Sequence, residues 1–77
     1  MNKDELKTFA VQFGKSMAVA RKNKGMSFKD LANKTGSSNV LLWKAEAGQV
    51  SVGCVRAIKI AEALDLDIYS MYQIKNN

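Results

Sequence analysis

The chain contains no histidine and no proline, and Cys54 is its single cysteine. One thiol cannot form an internal disulfide, and without histidine the usual zinc ligand sets cannot be assembled. The same gaps leave no Ser-His or Cys-His pair for nucleophilic chemistry, and no paired carboxylates are placed to face a cleft, so no catalytic set can be assigned. No apolar run approaches the ~20 residues of a membrane span, and the first residues lack a signal-peptide-like apolar stretch. A cytoplasmic protein is therefore expected. Cys54 lies among Val52, Gly53, Val55 and Ala57, a setting that reads as a small buried hydrophobe in a reducing compartment rather than an activated thiol. The absence of proline, with little β-branched alternation, also argues against a sheet.

What remains is a chain of 77 residues, enough for one domain spanning 1–77 and not for two. A chain of this size buries roughly 60% of its unfolded surface, which leaves no room for a deep substrate cavity. Neither a cofactor nor a small-molecule substrate is expected. The net charge is +5, and its placement is uneven. Residues 1–50 carry nine Lys and Arg against four Asp and Glu, whereas Arg56, Lys59 and Lys75 cancel against Glu62, Asp65 and Asp67. A basic part joined to a neutral part is the footprint of a protein that meets a polyanion with one side, although a solvated lysine-rich surface has the same composition.

Apolar residues recur at spacings of three and four, which predicts an all-α fold. Leu6, Phe9, Ala10, Phe13, Met17 and Ala20 share one arc of a helical wheel, so residues from about Asp4 to Asn23 read as a first helix. Gly25 is positioned to stop it. Ser27 and Asp30 have the spacing of a capping box and start a second helix, whose inner face is Phe28, Leu31, Ala32 and Thr35 and whose end is Gly36. Ser37 or Ser38 can cap a third helix running to about Ala47, closed by Gly48. Ser51 can cap a fourth through Leu64, with Cys54, Ala57, Ile58, Ala61 and Leu64 on its apolar face. Asp65 and Asp67 frame a turn, and Asp67 can cap a short fifth helix from Ile68 to Tyr72.

Two short helices joined by Thr35-Gly36-Ser37-Ser38 have the spacing of a helix-turn-helix. Phe13-Gly14, Met17, Arg21, Gly25-Met26-Ser27, Leu31-Ala32, Gly36, Leu42, Glu46, Gly48, Ile58, Ala61 and Leu64 extend the pattern over residues 13–72. In that order and spacing the chain resembles the Xre/Cro-like helix-turn-helix family of phage and bacterial transcription regulators. The resemblance implies a compact five-helix bundle of the lambda-repressor-like DNA-binding kind. It also implies a homodimer on a palindromic operator, with the helix from Ser38 to Ala47 in the major groove. The setting implied is a small repressor of a mobile element, cytoplasmic and associated with the nucleoid. Arg21 and Glu46 stand where the family has an ion pair tying the first helix to the third, a scaffold role that fits the cost of stranding either charge.

On a wheel centred on Leu42, the inner side of the third helix takes Ser38, Ala45 and Glu46, while Val40, Trp43, Lys44 and Ala47 point outward. Asn39 lies at the groove-facing end and has the donor and acceptor to pair with adenine, with a capping or solvated role as its alternative. Val40 can meet a thymine methyl or simply be exposed. Lys44 can reach a phosphate or a guanine edge, and phosphate is favoured. Trp43 can pack on the DNA backbone, donate its N–H to a phosphate, or cover protein surface. Ser27, Lys29 and Ser38 complete the DNA-facing set.

Three features depart from the family pattern. Phe28 stands where a phosphate-gripping Gln is usual, the loop of Gln49, Val50, Ser51 and Val52 has neither the basic residues nor the Pro often found there, and the third helix is apolar on its outward face. Backbone amides near Ser51 can still hold a phosphate. The apolar face opens a second reading, an antitoxin- or antirepressor-like adaptor that binds a protein through Val40, Leu41 and Trp43. Ile68, Met71, Tyr72 and Ile74 are candidates for the dimer interface, as are Leu6 and Phe9, which otherwise lie against the last helix.

Overall fold

A computed structural model describes residues 2–67. Among them are four helices and no strand: α1 (Lys3–Asn23), α2 (Phe28–Thr35), α3 (Asn39–Glu46) and α4 (Cys54–Leu64). The fifth helix expected from Ile68 onward, and with it the dimer candidates Ile68, Met71, Tyr72 and Ile74, lies outside the described residues.

Helix boundaries follow local chemistry. α1 starts one residue earlier than its apolar arc requires, because Asn2 caps it: the Asn2 side chain accepts from the Glu5 N–H at 2.8 Å, and Glu5 accepts from the Asn2 N–H in return. α2 begins on the capping box of Ser27 and Asp30, with 3.0 Å bonds in both directions. It ends at Gly36, whose φ of 69° lies in the left-handed region that a side chain would disfavour. α3 is capped by Ser38, whose Oγ accepts from the Leu41 N–H at 3.1 Å. As a cap, Ser38 has extended backbone and stands outside the helix, so the wheel that put it on the inner side does not apply, and it is exposed. The buried serine of this turn is Ser37.

α4 begins later than expected. Ser51 does not cap it; the chain turns into the helix at Gly53, with φ 80° and no side-chain cap. Val50 and Val52 pack against the core on the way, so the segment before the helix covers apolar surface instead of extending the helix backward. The delay places Cys54 on the first, open turn, where it is exposed, not buried as its neighbours implied. The inner stripe is Ala57, Ile60, Ala61 and Leu64. Ile58 follows Ala57 by about 100° of rotation and is left facing outward.

Each helix contributes one large side chain with no appreciable exposure: Met17, Leu31, Leu42 and Ile60. Around them Phe13, Ala45, Ala57 and Leu64 complete the core, with Phe28 and Ala32 packed at its margin. α1 and α2 each pack on both α3 and α4. Phe9 stacks on Phe13 with ring centroids 6.0 Å apart, while Leu6 is partly exposed beside the Gly48–Ser51 loop.

α1 and α3 approach each other closely at Gly14. A Cβ on that residue would lie 2.4 Å from the Ala45 carbonyl oxygen and 2.7 Å from that of Glu46. The missing side chain is what lets the C-terminal turn of α3 rest directly on α1. This contact fixes where α3 leaves the core, and so which of its residues face out.

Candidate nucleic-acid interface

With Leu42 and Ala45 turned to the core, the opposite side of α3 presents Val40, Trp43, Lys44 and Ala47, all exposed as their spacing predicts. Val40 is 61% exposed and Trp43 54%, high values for large apolar side chains. Asn39 is the first residue of the helix and is also exposed. Because Ser38 supplies the cap, the Asn39 carboxamide is not drawn into it, and no hydrogen bond among the described residues engages it. Lys44 likewise has no ion-pair partner there. Asn39, Val40, Trp43 and Lys44 thus form one continuous surface of two helical turns whose side chains make no hydrogen bond or ion pair among the described residues.

Ser27 and Lys29 sit at the start of α2, both exposed. Ser27 is committed to the capping box through its N–H and its Oγ. These bonds, with Lys29 and Lys34 nearby, hold the Asp30 carboxyl below its ordinary range; the backbone bond from Ser27 contributes most.

The ion pair of Arg21 and Glu46 holds the far end of α3. Arg21 Nε donates to Glu46 Oε2 at 2.5 Å and Nη2 to Oε1 at 3.2 Å, while Nη1 donates to the Met26 carbonyl at 2.8 Å. Its guanidinium lies 4.1 Å above the Phe28 ring. Phe28 therefore does more than extend the core: it stacks on the cation that anchors α3. A second link joins the ends of α1 and α4, where Lys24 Nζ meets Asp65 Oδ2 at 2.6 Å and, by that hydrogen bond above all, lowers the Asp65 pKa.

One feature escaped the sequence pattern. An open cleft of about 450 Å³ lies between the end of α2 and the start of α4, with Thr35, Gly36, Gly53, Cys54, Arg56 and Lys59 among its lining residues. The first turn of α4 has neither a side-chain cap nor an acidic residue, so its amides are unopposed by fixed negative charge. The expectation of free amides near Ser51 is thereby moved to Gly53 and beyond. No local pattern in the sequence signals the cleft, because its two walls come from separate helices.

Among the described residues no helix is long and apolar enough to cross a membrane. Compared with models of known protein families and with curated proteins, the chain matches none.

Proposed function

We propose that the chain is a sequence-specific, double-stranded-DNA-binding transcription regulator, a repressor that occupies a palindromic operator as a homodimer. In this reading α2 and α3 are the helix-turn-helix, and α3 lies in the major groove. The observation that carries it is the outer face of α3, where Asn39, Val40, Trp43 and Lys44 are exposed together and their side chains are free of hydrogen bonds and ion pairs among the described residues. The basic residues of the first fifty positions supply the attraction to phosphate. Lys44 and Lys29 contact the DNA backbone, and the amides of α4's first turn, beside Arg56 and Lys59, suit a further phosphate. Arg21 and Glu46 are scaffold. Two copies of the chain would place their α3 helices about 34–36 Å apart on successive turns of one DNA face. Ile68, Met71, Tyr72 and Ile74 remain the dimer candidates. Such a regulator needs no cofactor and no catalysis, and it works in the cytoplasm on the nucleoid.

The exposure of Val40 and Trp43 favours a second reading, in which the same face holds a protein partner. Selecting duplexes from a random library, then measuring the affinity of the enriched pool across a salt series, separates the two. A palindromic winner bound far more tightly than random DNA supports the regulator. No enrichment, with weak binding that fades as salt rises, supports the adaptor.

A further inference from the structure

Resting on the DNA-binding reading above, we infer that each half-site is read as A·T pairs, an adenine by Asn39 and the methyl of a thymine by Val40. Ser38 Oγ accepts the Leu41 N–H, which is the bond an Asn at a helix start would otherwise take. Among the described residues Asn39 is therefore left with its carbonyl and amino groups side by side and unengaged. In the major groove that pair of groups matches the N7 acceptor and N6 donor of adenine.

Val40 follows directly and offers only methyl groups, 61% exposed. The one apolar feature on the major-groove edges of the bases is the thymine methyl. Set against a cytosine amino group, the valine would bury a donor with no acceptor in reach.

The first turn of α3 offers no basic side chain for reading guanine instead. Guanine is read by Arg or Lys reaching O6 and N7 together, and base contacts come from the N-terminal residues of a recognition helix. The first turn of α3 has neither residue type. Arg21 is spent on Glu46 and the Met26 carbonyl, Arg56 lines the cleft at the start of α4, and Lys44 belongs to the last turn of α3.

The test uses the best duplex from a random-library selection and two modified forms of it. In one, uracil replaces a half-site thymine and removes only the methyl; in the other, 7-deazaadenine replaces an adenine and removes only N7. The wild-type chain should enrich neighbouring A·T pairs, lose roughly fourfold in affinity on the uracil duplex and roughly fivefold on the 7-deazaadenine duplex. Val40→Ser should become indifferent to uracil alone, and Asn39→Ala indifferent to 7-deazaadenine alone. Both side chains are exposed, so both variants should melt as wild type does. An enriched palindrome whose half-sites contain only G·C pairs, or equal losses in wild type and variants, overturns the inference while leaving the regulator standing. No enrichment of any duplex overturns both.

Discussion

Arg21, near the end of α1, and Glu46, the last residue of α3, meet in a two-bond fork with side chains only 13% and 9% exposed. The pair spans two helices, and Arg21 adds a bond to the Met26 carbonyl and a stacking contact with Phe28. Replacing Arg21 with Ala strands a nearly buried carboxylate and should cost about 3 kcal/mol. Arg21→Lys should fall between, since an ammonium cannot reproduce the fork. Urea unfolding checks this; an unchanged midpoint for Arg21→Ala would remove the pair from the scaffold.

Gly14 should tolerate no side chain. In Gly14→Ala the new Cβ meets two backbone carbonyl oxygens, which cannot rotate away as a side chain could, so α3 must shift off α1. A destabilisation of about 2 kcal/mol is expected from the overpacking. Because α3 moves, the affinity for an enriched duplex should fall as well. Wild-type melting behaviour in this variant would mean that the two helices are less closely seated than described.

Acid should weaken the fold from two identified carboxylates. Asp30 and Asp65 have folded pKa values below the ordinary 3.8, through the Ser27 capping bonds and Lys24 respectively. A depressed folded pKa contributes stability that is present above the unfolded value and disappears as pH falls through the folded one. The melting temperature should therefore be flat near neutrality and decline below about pH 4. Asp65→Asn should flatten part of that decline. A decline already complete above that pH would point to other groups.

Lys44, on the last turn of α3, has no ion-pair partner among the described residues and should act on phosphate. Lys44→Ala should weaken all duplexes alike and reduce the salt dependence of binding by about one unit of slope. A change of preference at a single base pair would instead make Lys44 a base reader.

Much of this arrangement was legible in the residues because short-range chemistry decides it. The Ser27 and Asp30 pair, Gly36, and the outward spacing of Val40, Trp43 and Lys44 each act within a few residues of chain, and each stands where the pattern puts it. The start of α4 was not legible. Ser51 is a good cap by type, but the burial of Val50 and Val52 competes with it, and that competition is settled by contacts from distant helices. Cys54 is exposed for the same reason, since the later start leaves it on the open first turn, whereas Ile58 faces outward because the buried stripe runs through Ala57, Ile60, Ala61 and Leu64, one 100° step away from it. The role of Gly14 depends on a carbonyl thirty-one residues later in the chain, Ala45, and has no local signature. Nor does the cleft beside Arg56 and Lys59, which exists only once α2 and α4 are packed.

Trp43 is the only tryptophan in the chain and stands 54% exposed on the outer face of α3, so its fluorescence reports on that face alone. Quenching of Trp43 by acrylamide, titrated with the selection-enriched duplex, tests most directly whether α3 enters DNA. The indole should become shielded, with saturation at two chains per duplex, while a random duplex at the same salt leaves it accessible. Tight binding of the enriched duplex, seen by anisotropy, with Trp43 as open to acrylamide as in the free protein would contradict the placement of α3 in the groove.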